Sequence, residues 1–401
     1  MNEAAGDKSR LLKRCAAGAI ASVVVVAIAI AGFCLLPSSP PLDARFPSAP
    51  TAEELAVLRP AYAGPPGDWP RPRLLPGAEF VEMAPLHIRQ RPQGKDADLI
   101  RLGRQLFEDP RLSASGHFAC QSCHNRRLGW GDGLPTSFGH GRAKGRRNAQ
   151  PLFSVGYKPA FFWDGRARSL EDQALEPLAD AREMANSNFS DVLARLNADN
   201  HYRQGFAAVT GEPAIALEHV TSALAAFQRT LERPTRFDRF ANGDQNALSN
   251  SQIWGLHLFR TKAGCANCHN GPTLSDNRFH NLGLSYFNRK LEDLGRFGVT
   301  GAHEDAGRFL TPPLRHVSRT GPYMHNGVFP SLAGPIRLYE AGAGPVRPAH
   351  RPASRSPPGA RRPRAGSIAP AWVRAARWSR RPARPCSCRP SRAGVSSADR
   401  P

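Results

Sequence analysis

Cys120-Gln121-Ser122-Cys123-His124 and Cys265-Ala266-Asn267-Cys268-His269 repeat one five-residue pattern, C-x-x-C-H, within a single chain of 401 residues. Two thiols three positions apart on a tight turn can form thioethers to the two vinyl groups of one haem. The adjacent histidine can then reach the iron from one face. A disulfide or zinc pair followed by a stray histidine is the competing reading. With eight Cys and 13 His in the chain, two such strings are not expected by chance, and zinc requires four convergent ligands. The chain is therefore read as holding two covalent haem c groups. Cys120, Cys123 and His124 serve one, and Cys265, Cys268 and His269 the other. No structural disulfide is needed.

Each motif follows a helical pattern. Leu99, Ile100, Leu102, Leu106 and Phe107 recur at helix spacing before the first. Ser249 reads as the N-cap of a helix over Gln252–Arg260 before the second, with Ile253, Leu256 and Phe259 on one stripe. Asp191–Leu196 and Ala214–Leu231 read as amphipathic helices, and strand signals are weak throughout. Helix, haem motif, loop, helix is a small cytochrome pattern, and it occurs twice. The predicted fold is mostly α, with two cytochrome c-like haem domains in tandem, 80–240 and 241–345.

Ahead of them, Lys8, Arg10, Lys13 and Arg14 precede an uncharged apolar run ending at Leu36. Positive charge before such a run sets an N-inside orientation, and 17–36 is long enough to span a bilayer as a helix. The segment 1–43 is read as a signal-anchor or a cleaved signal peptide with a Pro-rich linker, which places the rest of the chain outside the cytoplasm. The net charge of +21 is uneven, because residues 341–401 hold 14 Arg against one Asp. That stretch also holds 11 Pro, a composition that cannot bury a core, so 346–401 is expected to be a disordered tail, from a frameshift or an unusual extension. The basic excess belongs to this tail, so no nucleic-acid partner is expected.

Four further blocks carry a resemblance: Leu102–Leu112 (LGRQLFEDPRL), Phe161–Arg166 (FFWDGR), Gly295–Gly301 (GRFGVTG) and Leu314–Gly327 (LRHVSRTGPYMHNG). From about Leu99 to about Gly344 the chain resembles the bacterial di-haem cytochrome c peroxidases, including the MauG-type enzymes. The resemblance implies that the N-terminal haem meets peroxide, with His124 as proximal ligand and His140 as a removable distal ligand. It implies Glu183 as acid/base, Gln173 as its polar neighbour, and Trp163 as the indole that relays electrons between the haems. A carboxyl suits the first role, because O–O cleavage needs a proton moved from the near to the far oxygen. The resemblance also implies a calcium ion held by Asn148, Thr320 and Pro322, whose amide and backbone oxygens suit a hard cation.

For the second haem the resemblance implies His269 as proximal ligand and a distal ligand fourteen residues after His325. That position is Tyr339, as in MauG-type enzymes, where electron-storing peroxidases have Met; Met324 is the weaker alternative. Phenolate is a hard anionic donor that favours oxidised iron, whereas Met raises the potential. Leu310 and His316 depart from the family's usual Lys and Asn, and the expected terminal helix after Gly344 is replaced by the tail.

The activity implied is reduction of hydrogen peroxide with electrons from a small periplasmic cytochrome c or blue-copper protein, in a protein that could be a homodimer. Two alternatives stand beside it. One is a MauG-type enzyme that uses peroxide to oxidise residues of a partner protein; Tyr339 favours it, while His140 favours the peroxidase. The other is a non-catalytic di-haem electron carrier, which would leave Glu183 and Gln173 without a purpose.

Overall fold

The computed structural model describes residues 50–90 and 92–343, which lie within one compact unit. The expected N-terminal span and the Arg/Pro-rich tail lie outside the described residues. No helix among the described residues is long and apolar enough to cross a membrane.

In chain order the helices are α1 (Ala52–Ala61), α2 (Lys95–Glu108), α3 (Cys120–Cys123), α4 (Leu170–Ala179), α5 (Ser190–Ala198), α6 (Asn200–Thr210), α7 (Leu217–Gln228), α8 (Arg236–Ala241), α9 (Asn250–Arg260), α10 (Phe297–Thr300) and α11 (Ala333–Glu340). Two short strands, β1 (Phe279–His280) and β2 (Phe309–Leu310), pair antiparallel, with Phe279 opposite Leu310. The weak strand signal in the sequence is thus matched by a mostly helical chain.

The first core is built on α2. Its Leu102, Leu106 and Phe107 are buried with Leu178, Leu196, Phe206, Leu224 and Phe227. Each such side chain removed from water contributes roughly 1.5–3 kcal/mol. Gly103 sets the distance between α2 and α7: a Cβ there would lie 1.8 Å from the Ala223 carbonyl oxygen. On the other side, a Cβ on Gly205 of α6 would meet Leu102 Cδ2 at 2.8 Å. So α2 is clasped between two helices at glycine contacts. The helical stretch expected over Asp191–Leu196 continues as α5 and then α6, separated at Asp199. The Asp199 carboxylate accepts from the backbone N–H of His201 and Tyr202, which caps α6 and ends α5.

The second core gathers Leu58, Tyr62, Trp69 and Met83 against Phe240, Ile253 and Leu256. Residues 52–79, which the sequence left without a domain, therefore pack with Met83, expected in the first haem domain, on the core that holds α8 and α9. Arg260 of α9 is fully buried and holds them there: it pairs with Glu82 and donates to the Pro70 carbonyl at 3.0 Å. Ser249 caps α9 as the sequence predicted, with Gln252 completing the reciprocal pair.

The FFWDGR loop is held by later segments of the chain. Leu310 N–H of β2 donates to the Trp163 carbonyl at 2.8 Å, and Arg296 Nη1 donates to the carbonyls of Asp164 and Gly165 at 2.9 and 3.0 Å. Gly165 has φ +68°, and a Cβ there would sit 2.4 Å from Phe279 Cζ. Both facts require glycine at this turn.

Candidate haem and peroxide site

Both motif histidines are oriented in the same way. His124 Nδ1–H donates to the Trp130 carbonyl at 3.0 Å, and His269 Nδ1–H to the Leu274 carbonyl at 3.1 Å. A carbonyl only accepts, so each Nδ1 carries the proton and each Nε2 presents a lone pair. Burial pushes both imidazoles below their usual range, which keeps them neutral and able to ligate a metal. All four motif cysteines are free of disulfides.

Cys120, Cys123 and His124 open onto a cavity of about 1430 Å³. Trp163, Gln173, Glu183, Asn148 and His325 line it too, together with apolar Phe107, Leu152, Val155, Phe161 and Leu224. Two donors at its wall, Thr136 Oγ1 and Asn326 Nδ2, are buried without hydrogen-bond partners. A cavity with an apolar wall, attachment thiols, a free imidazole nitrogen, unsatisfied donors and cationic side chains fits a haem, an apolar macrocycle bearing carboxylates.

Glu183 and Gln173 come from the end and the middle of the α4 region. Glu183 N–H donates to the Asp180 carbonyl in the turn after α4. Its side chain sits at the accessible rim of the cavity. Burial by the surrounding wall raises its carboxyl above the usual range, with Asp180 and Glu176 adding and Arg166 and Arg182 opposing. The proton is thereby held to a higher pH than on a free glutamic acid.

Trp163 is buried, and its Nε1–H donates to the Asn148 carbonyl at 3.0 Å. Asn148 N–H in turn donates to the His325 carbonyl at 2.8 Å. The Trp163 and His325 rings meet edge to face at 6.4 Å, and Phe309 stacks on His325 at 3.6 Å. Burial pushes His325 down to about 4, against the pull of Asp293 and with the help of Arg147. Arg147 ties this junction together: it grips both oxygens of Asp293 at 2.6 and 2.8 Å and reaches Asp164 at 2.7 Å. Neither His325 nor this ion cluster was read from sequence as functional. The Arg147–Asp293 pair is 146 positions apart, and no local pattern announces it.

The other expected site residues are distributed around this cavity. His140 is not among its lining residues. It sits in the adjoining loop, where its N–H donates to the Glu183 carbonyl at 2.9 Å and its buried Nδ1 has no partner. A Cβ on Gly139 would lie 2.2 Å from the Arg182 carbonyl, so this loop rests directly on the Glu183 backbone. Asn148 uses its amide nitrogen on the Leu134 carbonyl at 2.9 Å, which leaves its amide oxygen as the atom a cation could use. Thr320 Oγ1 donates to the Val317 carbonyl, and Pro322 follows a cis peptide. Tyr339 lies on α11, 45 % exposed, with its phenol pushed up to about 12 by burial first and by the Cys268 and Cys265 thiols second. That places it within electrostatic reach of the second motif. Met324 adopts a left-handed backbone, φ 71°, and does not line the large cavity.

The comparisons with known proteins bear on the whole arrangement. The family model described as di-haem cytochrome c peroxidase matches residues 97–246. The methylamine utilization protein MauG of Methylorubrum extorquens is 43 % identical over 255 residues, covering 62 % of this chain and 70 % of that protein. The cytochrome c551 peroxidase of Nitrosomonas europaea is 38 % identical over 236 residues, covering 58 % and 70 %. Among solved structures, a MauG-like protein associated with microbial copper homeostasis superposes with a TM-score of 0.58 at 31 % identity, covering 71 % of this chain and 84 % of that one. Two haem motifs with matched histidine geometry, one cavity joining the first to an acid and an indole, and relatives aligned over most of their length lead to one assignment: the chain belongs to the di-haem cytochrome c peroxidase family, membership of which implies covalently bound haem c.

Proposed function

We propose that the chain reduces hydrogen peroxide to water, H2O2 + 2e− + 2H+ → 2H2O, with electrons from a small periplasmic cytochrome c or blue-copper protein. The observation that carries this reading is the single cavity that joins Cys120, Cys123 and His124 to Glu183, Gln173 and Trp163. Haem c attached there supplies the redox-active iron. The chain's own residues do the rest. His124 presents Nε2 to the metal, its orientation held by the Trp130 carbonyl. Glu183, its carboxyl raised above the usual range, moves a proton between the two peroxide oxygens, a role worth typically 10²–10⁴-fold in such reactions. Gln173 orients the peroxide by hydrogen bonding. Trp163 couples the two haem regions, its indole fixed on the Asn148 carbonyl. His140 acts as a removable ligand; its unpartnered Nδ1 and its link to Glu183 support that role.

The same reading extends to a calcium ion on Asn148, Thr320 and Pro322, to haem domains at 80–240 and 241–345, and to a periplasmic location by an N-terminal anchor or cleaved signal. The electrostatic effect of the Cys268 and Cys265 thiols on the Tyr339 phenol favours a second reading, a MauG-type enzyme that oxidises residues of a partner protein. Electron paramagnetic resonance of the ferric protein separates the two, before and after adding one electron per molecule. Two low-spin haems, one becoming high-spin only on reduction, support the peroxidase gated by His140. A resting high-spin haem beside a low-spin one supports the MauG-type reading. Two haems that stay low-spin throughout refute both and leave an electron carrier.

A further inference from the structure

We propose that Lys158 is the counter-ion of a haem propionate at the first motif. This rests on the reading that haem is attached at Cys120 and Cys123. The cavity holding that motif is lined by six cationic side chains: Lys144, Arg146, Arg147, Lys158, Arg166 and Arg182. Arg147, Arg166 and Arg182 are each within ion-pair distance of an aspartate or glutamate. Lys144 and Arg146 are exposed to water. Lys158 is half-buried and has no such partner. Among the described residues no carboxylate lies within ion-pair distance of its Nζ. Its contacts are a long hydrogen bond to Gln150 Oε1 at 3.4 Å and the Phe161 ring at 5.9 Å. An ammonium withdrawn from water costs several kcal/mol unless it is paired. Burial alone pushes it down to about 8, with no anion opposing.

The group that fits must be an acceptor-only anion reaching into the cavity that holds His124, and a propionate meets each condition. Gln150, whose side chain meets Lys158, lines the same cavity as His124. A positive charge at this edge favours the reduced iron and raises the potential of this haem alone.

The test uses the holoprotein, with both haems verified by mass, and the variants Lys158→Gln and Lys158→Arg. Each haem is titrated electrochemically, and resonance Raman spectra follow the propionate bending bands. For Lys158→Gln the ferrous-to-ferric ratio of the first haem at fixed potential should fall about tenfold, equivalent to about 59 mV for one electron. The second haem should not change, the propionate bands should shift, and Lys158→Arg should hold the wild-type potential. Unchanged potential and bands, or equal shifts at both haems, overturn the proposal. So does a wild-type potential that responds to added acetate, because the lysine would then be serving a free carboxylate. If Lys158→Gln does not mature, maturation of Lys158→Arg at the wild-type potential supports the charge requirement, and failure of both overturns it in favour of packing. A wild-type mass showing no haem on the first motif removes the underlying reading instead.

Discussion

Gly139→Ala places a methyl group where the structure has none to spare. A Cβ at this position would lie 2.2 Å from the Arg182 carbonyl oxygen, 2.7 Å from Glu183 Cα and 2.8 Å from the Glu183 carbonyl oxygen. All three are backbone atoms, so no side chain can swing aside. Relief to an ordinary contact of 3.4 Å requires the loop and the Glu183 backbone to part by about 1.2 Å, the difference from 2.2 Å. That motion breaks the 2.9 Å hydrogen bond from His140 N–H to the Glu183 carbonyl. The lost bond costs about 0.5–1.5 kcal/mol and the overpacking about 1–3 kcal/mol. Catalysis suffers more than folding, because a misplacement of about 1 Å at a reacting group can cost roughly a hundredfold. Steady-state peroxide turnover with a reduced small cytochrome c should show kcat/KM lowered about a hundredfold. Haem content should be retained, and the unfolding midpoint should fall by only a few degrees. A variant that keeps both its turnover and its unfolding midpoint would refute the claim that this loop rests on Glu183 and positions it.

Glu183→Gln keeps the shape but cannot release a proton, so kcat/KM for peroxide should fall about 10²–10⁴-fold, and a loss under tenfold would remove Glu183 from proton transfer. Asp238→Asn leaves Arg315, 1 % exposed, without its bidentate partner at 2.6 and 2.7 Å, and should lower urea stability by about 3–5 kcal/mol. Burial would raise Asp238, but Arg315 outweighs it and holds the carboxyl below its usual range. Its contribution is therefore complete above the unfolded value near 3.9 and is lost as pH falls through the lower folded value; a wild-type advantage over Asp238→Asn that persists unchanged at acid pH contradicts this. Tyr339→Phe should alter the low-spin resonance signal of the second haem if the phenol is its ligand, and an unchanged signal assigns that coordination elsewhere.

The haem-attachment chemistry of this protein is written locally, and the sequence alone determined it. C-x-x-C-H compresses attachment and proximal ligation into five residues, so Cys120–His124 and Cys265–His269 could be read with no knowledge of the fold. The Ser249 cap and the apolar spacing of Leu102, Leu106 and Phe107 are equally local, and both helices lie where those signals placed them. Relations between distant segments were settled by tertiary structure. Residues 52–79 carry no signal for their destination, and the pairing of buried Arg260 with Glu82 and the Tyr62–Trp69 cluster draw the segment onto the second core. Gly103 reads as an ordinary interior glycine until Ala223 is brought within reach. Arg147 reads as one arginine in a basic loop; only folding presents Asp164 and Asp293 to it and places His325 between Trp163 and Phe309. Lys158 likewise gains meaning only when the fold half-buries it in the cavity wall and offers it no carboxylate. Covalent ligation needs residues adjacent in sequence, whereas charge pairing and burial depend on distances across space that no local pattern encodes.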